Sequence, residues 1–444
     1  MTERIRHLIV AATLMLPPAY AACSKNAEAP KTPAAVVQVF VGDAEAGLAG
    51  WAVNVRPAVK VTDGSGTAIP GASVTFSITG GGGSGTGLTA TTDQNGKAQV
   101  GSWVLGASPG LNIMTATVSA TGFTTGQVTF NDAGVAAEFT IQLQYFGKYK
   151  PTAAESAAFN YAVTRWQQII YRHIGSPAQV IDTTGVCGVG EPAINQTVTD
   201  LLILASFDSI DGAGKTLAEA SPCFIRTSGP GAGLSVMGVM KFDTADVGSL
   251  VTSGQLNAVV LHEMGHVLGF GTLWSLSGVS LPTVNCLQLP SSPPSGLQDT
   301  YFSCVGKSAN AAAQFDSVGG LNYTGSGQTY GGHVVPVENC ANAPYVSPVC
   351  GQGTVNGHWR TTVFGNELMV GFLPASPALS KVTVASLQDL GYTVNYSAAD
   401  SYVHAFTAPP AEGGGRLFLG DDIHHGPLYG IDPSGRITLV RQRQ

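Results

Sequence analysis

In the stretch 259–270 two histidines stand four residues apart with a glutamate beside the first: His262, Glu263 and His266. On a helix, four residues rise about 6 Å and turn a side chain only about 40° past a full revolution, so both imidazoles share one face and can reach one tetrahedral zinc at about 2 Å. Glu263 falls at the edge of that face. It is poorly placed as a ligand but can take a proton from a water that the metal activates, which is the chemistry of H-E-x-x-H. The bland alternative is a core helix carrying two incidental histidines.

The neighbouring residues favour the helix. Thr252 or Ser253 can cap it, Gln255 stands three after Thr252, and Leu256, Val259, Val260 and Val267 recur at helical spacing. Gly269 supplies the stop, because glycine permits a left-handed residue after the last turn.

A chain of 444 residues is too long for one ordinary core, so two or more domains are expected. Charged residues make up only 11%, glycines number 57 and the net charge is −7. That balance disfavours nucleic acid as a partner and suits a β-rich secreted protein.

Residues 1–22 read as an export signal: Arg4 and Arg6 precede an apolar run, Leu8 to Leu16, that ends at Pro17-Pro18. Ala19-Tyr20-Ala21 fits an ordinary cleavage site, while Ala21-Ala22-Cys23 resembles a bacterial lipoprotein site with an atypical Tyr20. The odd cysteine count leans towards lipid on Cys23 and membrane attachment through it, with free secretion as the alternative. Six of the seven cysteines pair by sequence distance alone as Cys187–Cys223, Cys286–Cys304 and Cys340–Cys350, one of fifteen pairings, which implies an oxidising compartment. No C-x-x-C supports cysteine metal ligation.

Residues 23–33 mix Pro, Ala, Lys and Glu as a tether would. Over 34–132, short alternating runs (Val37 to Val41, Val53 to Val61, Val74 to Ile78, Ala98 to Leu105, Ile113 to Val118, Gln127 to Phe130) are punctuated by turn dipeptides such as Asp63-Gly64 and Asn95-Gly96. These predict a β-sandwich, with Gly80 to Gly83 a loop or bulge. Pro57 to Asp63, Ile69 to Phe76 and Thr92 to Ala98 resemble the bacterial immunoglobulin-like repeats of invasin and intimin. That resemblance implies a projecting spacer, with adhesion as a lesser option.

From Phe139 the pattern changes. Phe139, Ile141, Leu143 and Tyr145 alternate as a strand. Thr152 to Glu155 is a capping box, and Phe159, Ala162, Val163, Trp166, Ile169 and Ile170 form one apolar stripe. Strands at Leu201 to Phe207 and Val236 to Phe242 precede the histidine helix, so an α+β domain is expected over 135–400, and 401–444 reads as a tail in which His424 and His425 are solvated. Gly212 to Thr216 follows an apolar strand as a phosphate loop would, but Ser209 stands where that motif needs its first glycine, so a surface turn is expected.

The helix with its immediate Gly269 resembles the metzincin proteases, except that Thr272 occupies the position of their third histidine. Downstream, Gly357-His358-Trp359 to Met369, together with Pro336 to Asn339, Glu367 to Met369 and Ala385 to Tyr392, is similar to leishmanolysin-type proteases, in which an insertion separates the glycine from the third histidine. Here 88 residues lie between Gly269 and His358. The resemblance spans roughly 139–400. It implies a metzincin-type α+β catalytic domain and a zinc metalloendopeptidase acting on proteins or peptides. One zinc would be held by His262, His266 and His358, Glu263 would be the general base, and Met369 the methionine of the turn beneath the metal. His358 is preferred to His333, His404, His424 or His425 because it lies close to Met369 in sequence. Two other classes remain: an adhesin whose protease-like domain binds without cutting, and a zinc amidase acting on cell-wall peptides. No inhibitory cysteine segment is evident. Ser380 can cap a last helix closed by Gly391.

Overall fold

The computed structural model describes residues 32–175, 179–276, 284–288, 301–304, 309–320, 335–338, 354–403, 417–419 and 421–441. Cys23, Cys340, Cys350, His333 and His404 lie outside them.

Period-two alternation builds the first domain. Its strands are β1 (Val36–Val41), β2 (Ala46–Leu48), β3 (Ala58–Thr62), β4 (Ser73–Gly80), β5 (Ser84–Thr86), β6 (Thr89–Thr91), β7 (Lys97–Gln99), β8 (Ser102–Val104), β9 (Gly110–Ser119) and β10 (Gly126–Val135). They form sheets ordered β1-β3-β7 and β2-β10-β9-β4-β6, with a small β5-β8 ladder. Val59 and Val61 from one sheet meet Val74, Phe76, Met114, Ala116, Val118 and Phe130 from the other, around Trp103. Along β4 every second residue turns outward, Ser73, Thr75 and Ser77. A register break between Ile78 and Gly80 is the bulge expected at the glycine run.

Two runs are shorter than their apolar content suggested. The strand expected from Val53 starts only at Ala58, after Pro57, which has no N–H to donate. The run from Ala98 to Leu105 divides into β7 and β8. The last strand continues to Val135 and pairs there in parallel with β2, so the sandwich ends beyond the expected boundary at 132. It is also docked on the second domain instead of standing clear of it. Asn54 Nδ2 donates to Val394 O (2.8 Å) while its Oδ1 accepts from Tyr396 N (2.9 Å), and Tyr171 Oη donates to Ala46 O (3.0 Å).

The second domain contains, in order, β11 (Ile141–Tyr145), α1 (Ala153–Ile169), β12 (Gln179–Thr183), β13 (Ile194–Val198), β14 (Leu201–Asp208), β15 (Ala218–Arg226), β16 (Ser235–Asp243), α2 (Val247–Ser253), α3 (Leu256–Leu268), α4 (Asn310–Ser317), α5 (Thr361–Phe364), α6 (Lys381–Leu390), β17 (Leu428–Ile431) and β18 (Ile437–Arg441), apart from two-residue pairings. The main sheet is ordered β11-β14-β16-β15-β17-β18, with β15 antiparallel to β16 and parallel to β17. β14 is apolar on both faces because both are covered. Leu201, Ile203, Ala205 and Phe207 enter the main core with α1 and α3. Leu202 and Leu204 enter a smaller core under the Cys187–Cys223 disulfide.

Thr152 and Glu155 cap α1 reciprocally, as the sequence predicts. Trp166, fully buried on that helix, donates from Nε1 to Leu261 O at 3.0 Å and so fixes α3 against α1. Three expectations need correction. Thr252 and Ser253 do not cap the histidine helix: they belong to α2, which Gly254 (φ 74°) ends, and α3 starts afresh at Leu256 without a side-chain cap. Residues 428–441 are not a tail but two strands of the main sheet. His424 is buried, not solvated. The 212–216 segment is a turn whose Ile210, Asp211 and Gly212 amides donate to Asp243 Oδ2 at 3.0–3.1 Å, leaving them nothing to offer a phosphate.

A disulfide Cys286–Cys304 accompanies Cys187–Cys223, a chemistry that suits an extracellular or periplasmic compartment. Among the described residues no helix is long and apolar enough to cross a membrane.

Candidate metal centre

α3 is apolar nearly all round and wholly buried from Val259 to Leu268, so its polar residues lie inside the domain and must find partners there. His262 and His266, one turn apart, face the same space. Beneath them Gly265 gives room to Met369: a Cβ there would lie 2.9 Å from Met369 Cε. After α3, Gly269 (φ 112°) turns the chain. Thr272, where a shorter motif would have its third histidine, donates from Oγ1 to His266 O (2.7 Å) and closes the helix end.

His358 reaches the same space from far along the chain, and its backbone is fixed on both sides. Its carbonyl accepts from Glu338 N at 2.8 Å, and Trp359 N donates to Met369 O at 2.9 Å. The Trp359 ring packs on Phe270, Trp274 and Phe364 at centroid distances of 5.0–5.3 Å. Its Nε1 donates to Thr383 Oγ1 (2.8 Å), and that hydroxyl in turn donates to the buried Glu367. Glu367 also accepts from Met369 N and from Ser380 N and Oγ, and thus joins the turn at Met369 to the start of α6, whose cap is Ser380.

The three ring Nε2 atoms lie 3.0–3.1 Å from one another. Each ring's Nδ1 faces a carbonyl oxygen: Leu368 O at 2.7 Å for His262, Phe270 O at 2.8 Å for His266 and Thr354 O at 3.2 Å for His358. A carbonyl only accepts, so in each ring Nδ1 carries the proton. A neutral ring then turns its Nε2 lone pair inward, and three lone pairs at that spacing repel unless a cation lies among them. Tetrahedral nitrogen ligands about 2.0–2.1 Å from a metal sit about 3.3 Å apart, close to the spacing found.

A fourth group completes the cluster and has no counterpart in the sequence reading. Asp422, fully buried, brings Oδ2 to 3.1 Å from His358 Nε2, 3.4 Å from His262 Nε2 and 3.9 Å from His266 Nε2. Burial and the neighbouring rings hold His266 well below the usual histidine range, and burial likewise lowers His262. Burial opposes charge on His358 too, yet Asp422 outweighs it and raises that ring. Burial also opposes ionisation of Asp422, but the histidines, His358 foremost, keep it far below the ordinary carboxyl range. The fourfold cluster, His262, His266, His358 and Asp422, could therefore hold a metal ion.

Glu263 is fully buried, and among the described residues neither of its oxygens has a hydrogen-bond partner. Burial first, then the charges of Asp422 and Glu219, push its carboxyl well above the usual range. Among the other histidines, His424 approaches Glu219 through Nδ1 (3.4 Å) and Cys187 O through Nε2 (3.3 Å), outside the cluster. His425 and Arg441 line a cleft with Gly271, Thr272, Asn356 and Gly357, beside the centre.

No family model and no curated protein matches the sequence. Among solved structures, the D00-D0 domain of intimin is similar over 23% of this chain and 48% of its own, at 18% identity and a TM-score of 0.18. A Bacteroides ovatus GH5 xyloglucanase, in complex with a XXXG heptasaccharide, is similar over 40% of this chain and 38% of its own, at 10% identity and a TM-score of 0.16. The chain thus spans about half or less of either protein. Overlaps this slight carry no argument, and the sandwich rests on its own sheet order and core.

Proposed function

We propose that the protein is an exported zinc metalloendopeptidase of the leishmanolysin-like, metzincin type, acting on protein or peptide substrates. His262, His266 and His358 would hold one zinc and Met369 would floor the site. The observation that carries this reading is the convergence of three imidazole Nε2 atoms, 3.0–3.1 Å apart, beside a buried carboxyl, Glu263, that has no hydrogen-bond partner among the described residues. Zinc bound there supplies Lewis acidity, which lowers the pKa of water towards neutrality and polarises a peptide carbonyl. Glu263 takes the proton of the attacking water and passes it to the leaving amine. The carbonyls of Leu368, Phe270 and Thr354 hold the three rings in one tautomer and orientation. Localisation at the cell surface or periplasm through a lipidated Cys23, or free secretion, belongs to the same proposal.

One observation favours a second reading, an inactive binding protein. Three histidines and a carboxylate make four ligands, and a closed four-ligand centre is the mark of a structural metal. Zinc content with hydrolysis of an unfolded protein, before and after chelation, tests the first reading. About one zinc per chain and chelator-sensitive cleavage are expected. A zinc-loaded chain that cuts nothing, with Asp422 present or replaced, supports the second.

A further inference from the structure

Asp422 arrives on a segment whose backbone occupies a second feature of the site. Ala220 N, on β15, donates to Asp422 O at 2.8 Å, and His424 N donates to Ala220 O at 3.1 Å. Ile423 thereby pairs in parallel with Ala220, ahead of the regular β15–β17 pairing that starts at Phe224–Tyr429. Ala220 is thus satisfied on its outer edge by Asp421–Gly426 and not by a regular strand. That edge, next to the histidine cluster, is where an extended peptide would find its backbone partners. One short segment therefore fills both places that a peptide substrate needs: the position facing the three Nε2 atoms and the amide and carbonyl of Ala220.

We infer that Asp421–Gly426 is a built-in inhibitory segment, with Asp422 as a displaceable fourth ligand, so that the chain as folded is the latent form of the enzyme. The inference rests on the peptidase reading. Besides Asp422 at the histidines, its contacts include the two backbone bonds to Ala220, the pair between His424 and Glu219, and the contact of His424 Nε2 with Cys187 O. Both flanks are anchored independently of it, Leu417–Phe418 on Phe372–Leu373 before it and β17 and β18, with Leu428 and Ile431 in the core, after it, so the short segment between can leave the edge while the sheet stays whole.

The test compares the full mature chain with Asp422→Ala and with Gly426→Val. At Gly426 a Cβ would lie 2.5 Å from His424 Nε2 and 2.7 Å from Cys187 O, so valine pushes the segment outward while keeping Asp422. Each protein is loaded with zinc for peptide turnover, and with cobalt to read acetohydroxamate binding from the visible spectrum. If the open form is less than about a tenth of the population, both variants gain about tenfold or more in turnover and in probe affinity. Gly426→Val keeps the inference testable should Asp422→Ala fail to fold. Turnover and probe affinity in the wild type equal to or above those of both variants overturn the latency and leave the peptidase reading standing. Variants that bind the probe more tightly yet cut no peptide overturn the peptidase reading, and the latency with it.

Discussion

The two domains treat buried polarity in opposite ways. In the sandwich, inward positions are apolar almost throughout, and buried polar groups there serve the backbone: Asn112 Oδ1 accepts from Gly106 N (2.7 Å) and Thr92 Oγ1 from Ala72 N (2.9 Å). In the second domain, three histidines, Glu263 and Asp422 are fully buried around one point, and both carboxylates keep oxygens without hydrogen-bond partners. Buried polar atoms left unpaired cost roughly 1–3 kcal/mol each, and among the described residues the four carboxyl oxygens of Glu263 and Asp422 form the largest such group around one point.

Removing the unpaired base should give the largest effect. Glu263→Gln, made in the wild type or in Asp422→Ala, should keep zinc and lower peptide turnover by about 10²–10⁴-fold, because an amide cannot take the water's proton. Turnover that survives in the zinc-loaded variant rejects the role. Trp166→Ala should cost about 3–5 kcal/mol in the second domain, because it empties a fully buried site and frees Leu261 O. The sandwich transition should stay in place, since distant sites act independently; calorimetry reads both.

The sandwich has unpaired buried atoms of its own, Trp103 Nε1 and Asp132 Oδ2, and Asp132, fully buried, has its pKa raised to about 6, chiefly by burial. The folded value lies above the unfolded one, so this carboxyl's contribution to stability is complete below about pH 4 and is lost as pH rises through about 6. Asp132→Asn should remove that loss and stabilise the sandwich at pH 7 to 8 by up to about 3 kcal/mol, with little change at pH 4. A stability difference independent of pH contradicts the assignment. The smallest effect concerns the joint: Asn54→Ala should weaken docking of the two domains by about 1–3 kcal/mol and widen the gap between their melting transitions, while leaving small-peptide turnover unchanged.

Local features were legible in the sequence. The capping box of α1, the histidines on α3, Ser380 at the start of α6, and the β-sandwich with its glycine bulge all depend on residues within a few positions of one another. The break at Gly254 was missed because Thr252 and Gln255 mimic a cap while the glycine's left-handed backbone ends one helix before the next begins. The nearness of His358 to Met369 in sequence is realised as the Trp359–Met369 backbone bond, and the fold brings His358 together with His262 and His266. Asp422 was invisible for a physical reason. It carries no motif and reaches the histidines only because Leu428–Ile431 joins β15, and that short, glycine-containing strand lacks the alternation that reveals a strand.

The most direct test of the metal centre is X-ray absorption at the zinc edge of the loaded protein, alongside His358→Ala. About one zinc per chain with three imidazole ligands and an oxygen is expected, falling to two imidazoles and weaker retention in the variant. A wild-type spectrum showing sulfur ligation, or an identical spectrum and zinc content in His358→Ala, would contradict the assignment of this cluster as the centre of the protein's chemistry.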